Sequence, residues 1–182
     1  MQKFITVFLL LALICSACSN KKQAAPFIDV AGYLRGQLAE LDSLGYRLNT
    51  VRVNKENKTI DSGTISTEKL RKKIEPFLSD ALSRRQLEKH FSESVFADAG
   101  LLSVTITYTP VTGRSPFQRI DVYIKPADGS ISRVYASHNS ALGDTLVHTQ
   151  LLWKHAQLCT LITTRTLQQL PIETVTETIS WQ

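Results

Sequence analysis

Leu101–Gly129 reads LLSVTITYTPVTGRSPFQRIDVYIKPADG, and its periodicity decides the fold. Leu102, Val104, Ile106 and Tyr108 alternate with Ser103, Thr105, Thr107 and Thr109. Ile120, Val122 and Ile124 then alternate with Arg119, Asp121, Tyr123 and Lys125. A period of two with one apolar and one hydroxyl-rich or charged side describes strands with one face on a core and one in water. Pro126-Ala127-Asp128-Gly129 is a turn by composition, and Ser130–Ser137 returns from it. Downstream, Thr145–His155, Leu158–Thr166 and Ile172–Trp181 are further strands, their threonines suited to a solvated sheet surface.

Upstream the period becomes 3.6. In Ile28–Leu44 the residues Val30, Leu34, Leu38 and Leu41 share one face; Asp29 caps the start and Gly45 supplies a left-handed stop. Tyr46–Val53 alternates, Lys55–Lys58 is a polar turn, and Thr59–Ile65 is a short return strand or a loop. A second helical stretch runs from Thr67 to His90, with Leu70, Ile74, Phe77, Leu78, Ala81 and Leu82 on one face and Pro76 kinking or splitting it. Ser92–Ala99 is polar and reads as irregular. The expectation is an α+β fold: two N-terminal helices packed on one face of an antiparallel, curved sheet of about six strands.

Composition agrees with one globular domain. The chain has 182 residues, 43% hydrophobic and 20% charged, which excludes disorder, collagen and coiled coil as whole-chain readings. Its net charge of +5 is too mild and too dispersed for a nucleic-acid binder.

The N-terminus reads as an address. Lys3 precedes the run Phe4–Ile14, about half of what a membrane-spanning helix needs. A short apolar run behind a positive start is the pattern of a secretory signal. Cys15, Ser16 and Ala17 then lead into Cys18. This resembles the lipobox of bacterial lipoproteins, with Cys15 standing where an aliphatic residue is more usual. The resemblance implies a signal peptide over 1–17 and acylation of Cys18; a polar tether over 18–26 then leads into the single α+β domain that the periodicity places over 27–182. Lys21 and Lys22 in the tether are positioned to touch lipid phosphates. With Cys15 removed and Cys18 acylated, Cys159 has no internal disulfide partner and reads as a small buried hydrophobe.

Motifs for chemistry are few. The four histidines never fall at metal-ligand spacing, and no metal or cofactor is expected. Ser66-Thr67-Glu68-Lys69 matches S-x-x-K without its companion elements, and Ser66 serves equally as a helix cap. Lys72, Lys73, Arg84 and Arg85 make the second helical stretch basic, either as a solvated face or as a contact for membrane phosphates or an acidic partner.

The whole layout resembles a group of small lipoproteins of the Bacteroidota. It carries the lipobox, Phe27-Ile28-x4-Tyr33-Leu34-x2-Gln37-Leu38-x2-Leu41, a second helical stretch, and a strand-rich half ending in Trp181. That group lends no catalytic residues. Its acidic export signal after the acylated cysteine is missing from Ser19-Asn20-Lys21-Lys22, which implies an outer-membrane anchor facing the periplasm. The expected function is a non-enzymatic binding or assembly module, held to the membrane by acyl chains and engaging an envelope protein partner. The alternatives are a carrier enclosing a lipid or other apolar ligand between helices and sheet, and, more distantly, a serine acyl-hydrolase using Ser66 and Lys69.

Overall fold

The computed structural model describes residues 27–98 and 100–181. Its frame is a single nine-stranded antiparallel sheet. A hairpin of β1 (Leu48–Asn54) and β2 (Thr59–Ile65) comes first in sequence. Seven consecutive strands follow: β3 (Phe91–Asp98), β4 (Ser103–Pro110), β5 (Phe117–Ile124), β6 (Ile131–Leu142), β7 (Thr145–Lys154), β8 (Leu158–Leu167) and β9 (Leu170–Trp181). Each pairs with its predecessor, and β9 then pairs with β1, giving the order β2-β1-β9-β8-β7-β6-β5-β4-β3. The pairing of Leu48 with Trp181 aligns apolar positions of β1 and β9, so their buried sides coincide.

Among the described residues three α-helices lie on one face: α1 (Val30–Leu44), α2 (Thr67–Lys73) and α3 (Arg84–His90). In α1 the Asp29 carboxylate accepts the Gly32 N–H at 2.8 Å, and Gly45 ends the helix at φ 63°, a conformation open to glycine at no steric cost. Ser66 caps α2, its Oγ accepting the Lys69 backbone N–H at 3.3 Å. Between α2 and α3 the chain makes two 3-10 turns, Glu75–Leu78 and Asp80–Leu82.

This architecture corrects the expected one in three ways. The sheet has nine strands rather than about six, because β1, β2 and β3 all join it. β3 occupies the segment expected to be irregular. As an edge strand it takes its ladder from the regular β4, so solvent exposure, and not disorder, explains its polar sequence. Nor do two helices precede the sheet: a hairpin separates α1 from α2, and of the two outcomes expected at Pro76, a kink or a split, the second helical stretch shows the split. Pro76 has no N–H to continue α2, and Ser79 and Ser83 take extended conformations that restart the chain in new directions.

The core lies between helices and sheet. Leu34, Leu38, Leu70, Ile74, Phe77, Leu82 and Leu87 meet Tyr108, Phe117, Ile120, Val122, Val134, Leu151, Trp153 and Ile179, all but fully removed from water. Each such side chain contributes about 1.5–3 kcal/mol relative to an exposed one. Trp153 and Trp181 pack at 5.2 Å between ring centroids, and Phe77 meets Phe117 edge-on at 6.0 Å. At the N-terminal end Phe27 stacks on Tyr108, whose hydroxyl accepts the Ile28 N–H at 3.0 Å. Among the described residues no helix is long and apolar enough to cross a membrane.

Candidate functional site

Strands β6 to β9 are longer than their neighbours, and the helices cover only part of their length. Cross-strand partners share a face, so the helix-facing side can be followed in rows. The row Arg52–Glu177–Leu161–Leu151 lies at the rim of the packed region. The next, Asn54–Val175–Thr163–Thr149, is half-exposed, and the row Glu173–Arg165–Val147 is more open still. With Lys73 at the end of α2 overhanging them, these rows line a groove of about 320 Å³.

Its electrostatics are held by pairs. The Glu177 side chain, only 11% exposed, faces Lys73 Nζ at 2.9 Å through Oε2 and accepts the Thr50 hydroxyl at 3.0 Å through Oε1. A carboxylate so buried needs both partners to offset its lost hydration. Further out Arg165 and Glu173 pair at 2.7 Å, both about half-exposed. Arg52 sits across the ladder from Glu177 on one side and Asp61 on the other. Among the described residues its guanidinium makes neither an ion pair nor a hydrogen bond. One row further under the helices Cys159 is fully buried; burial, reinforced by the charge of Glu177, pushes its thiol far above the usual range. The lining therefore offers guanidinium, ammonium, carboxylate and threonine hydroxyl groups over an apolar floor of Leu161 and Val175, a set suited to holding a polar ligand.

The sequence-derived candidates fall in different places. Cys15, Ser16, Ala17, Cys18, Lys21 and Lys22 lie outside the described residues. Lys73 is drawn into the groove, whereas its neighbour Lys72 is exposed and paired with Glu68 at 2.9 Å. Arg84 and Arg85 are exposed on α3. The break after α2 thus divides the basic stretch between two short helices instead of arraying it on one face. Ser66 is occupied as a cap by the backbone of Lys69. His138 packs edge-on against Phe77 and Phe117, His148 bonds Asn139 and Gln150, and His155 meets Tyr33 and Gln37. Among the described residues no group of three metal-binding side chains forms.

Arg52, Thr149, Thr163, Arg165, Glu173 and Glu177 were not anticipated. One signal was available. In Val175-x-Glu177-x-Ile179-x-Trp181 a carboxylate interrupts the apolar side of a strand, and such a residue needs a cation or hydroxyl nearby. Compared with protein-family models, curated proteins and solved structures, the chain matches none.

Proposed function

We propose that this chain is a lipid-anchored envelope lipoprotein, carried on the outer membrane and facing the periplasm, and that it acts as a non-enzymatic binding or assembly module. The observation carrying the binding role is the groove, where charged and hydroxyl side chains are presented on the open continuation of a rigid sheet. Sites built on strands hold their geometry better than sites on loops. The groove's carboxylates and its lysine are tied up in ion pairs, Glu177 with Lys73 and Glu173 with Arg165. Ser66, the residue of the hydrolase reading, spends its hydroxyl on capping α2. Against the carrier reading, the space between helices and sheet is filled by Trp153, Leu34, Leu38 and Phe77. A separate hollow of about 320 Å³ between α3 and the β4–β5 loop, lined by Ala81, His90, Phe91 and Pro116, is the place an apolar ligand would use instead.

Two neighbouring residues test the groove. Thr163 faces it, and Thr164 points to the opposite side of the same strand. A photo-crosslinker placed at 163 in cells is expected to trap a discrete partner that the same probe at 164 does not. Equal trapping at both positions would reject the groove as the binding surface. Native mass spectrometry of the gently extracted protein adds a second readout: a stoichiometric lipid beyond the acyl chains would transfer support to the carrier.

A further inference from the structure

The hairpins β6–β7 and β8–β9 project past the groove and end side by side. Register places Leu142 beside Thr145, Thr145 beside Leu167, and Leu167 beside Leu170. Leu142, Leu146, Leu167, Leu170 and Ile172 are between 38% and 71% exposed. Leu142, Leu167 and Leu170 share the helix-facing side of the tips, Leu146 points to the opposite side and Ile172 falls at the register shift, so an end-on approach presents the apolar side chains of both faces together. The turns themselves are tight. Gly143, at φ 58°, opens the first two-residue turn, and Gln168 and Gln169, at φ 49° and 68°, form the second. Each turn closes its ladder within two residues, so few backbone N–H and C=O groups are left unpaired, as a lipid environment requires.

We propose that these two hairpin tips dock into the bilayer that holds the protein's own acyl chains; this rests on the lipid-anchor reading above. Chain length supports the choice of occupant. Phe27 is fixed against Tyr108, in the row Tyr108–Ile120–Ala136. From Ala136 to Leu142 is six residues along β6, or about 20 Å, and two strand spacings add about 10 Å sideways. The nine residues from Cys18 to Phe27 span about 30 Å when extended. The tether is thus long enough for Cys18 to lie in a membrane plane that touches the tips. A second copy is a poorer occupant, since two turns offer a few hundred Å² where a stable dimer buries about 800 Å² per partner. The neighbouring β1–β2 turn brings Lys55 and Glu56 beside Ile172, a polar collar at headgroup level, with Glu56 paired to Lys58. Asp144 in the β6–β7 turn limits insertion to the boundary between headgroups and acyl chains.

The test uses the full chain in vesicles of phosphatidylethanolamine and phosphatidylglycerol carrying brominated acyl chains. Leu170→Trp and Leu142→Trp place reporters on the tips, and Leu101→Trp places one at the opposite end of the sheet; all three positions are exposed, so the core is untouched. Native Trp153 and Trp181 are buried and give a constant background. The expected result is several-fold stronger quenching at 170 and 142 than at 101. Equal quenching at all three positions, or none at 170 and 142, overturns the docking. A Cys18→Ser chain and the intact mass of the wild type separate this outcome from failure of the anchor. Acylation at Cys18 without tip quenching rejects only the tips. Absence of acylation rejects the anchor, and quenching in the Cys18→Ser background then decides the tips by themselves.

Discussion

The two halves of the helix-facing sheet surface are built from the same strands and have opposite fates. Along β9, Glu177, Ile179 and Trp181 are buried, Val175 is half-buried, and Leu170 to Glu173 are exposed. Along β8, Cys159 and Leu161 give way to Thr163 and then to exposed Arg165. Under the helices these strands present an aromatic and aliphatic surface, and the carboxylate of Glu177 at its rim is partnered by Lys73 and Thr50; beyond them the surface turns to threonine and surface ion pairs, then to bare leucine at the tips. What decides the difference is whether a helix lies above. The covered half supplies stability, and little stability rests on the open half.

That contrast can be challenged by substitution, and the largest effect belongs to the covered half. Trp153→Ala should remove about 3–5 kcal/mol of unfolding free energy, seen as a lowered urea midpoint, because Trp153 is wholly buried against Trp181 and the site cannot collapse around so large a void. A loss of less than about 1 kcal/mol would mean that the core under α1 is loosely packed.

Alkaline pH should strike the same half next. The folded chain holds the Cys159 thiol protonated well past its ordinary value of 9.0, so the unfolded chain releases that proton first. Stability is then complete below about pH 9 and falls above it, by up to about 1.4 kcal/mol per pH unit. The hydroxyl of Tyr33, pushed up to about 12 by burial and by Glu40, and that of Tyr108, raised mainly by burial, join the decline past pH 10. Cys159→Ala should flatten the segment between pH 9 and 10 in denaturant titrations; an unchanged slope would place the thiol in contact with water.

The smallest effects compare two ion pairs. Lys73→Met leaves the buried Glu177 with Thr50 alone and should cost about 1–2 kcal/mol. Arg165→Gln, in the open half, should cost under about 0.5 kcal/mol because both members of its pair with Glu173 are solvated. If the two variants unfold at the same urea concentration, the boundary between covered and open surface is misplaced.

How much of this was legible follows from where the information resides. The strands from Ser103 onward declare themselves, since apolar and polar residues alternate over long runs and the threonine side faces water. α1 is equally plain, with both its cap and its glycine stop in the sequence. β2 and β3 are not plain, because both are edge strands, exposed over most of their length and strands only through their neighbours. The fracture between α2 and α3 was signalled by Pro76, but the two 3-10 turns depend on the serines that redirect the chain. The groove was hidden for a further reason: Arg52 comes from the first strand, Lys73 from a helix, and Arg165, Glu173 and Glu177 from the last hairpin. Only the pairing of β1 with β9 brings them together.

That pairing makes β9 a keystone in the order of assembly. It is the one strand through which the β1–β2 hairpin is hydrogen-bonded to the other seven strands. A chain emerging N-terminus first must keep its first hairpin waiting, one edge unpaired, until β9 has been delivered. A premature stop before Leu170 would therefore do more than shorten the sheet. It would split it in two, releasing an N-terminal hairpin and exposing the edge of β8, so that only a chain delivered through β9 can close its fold.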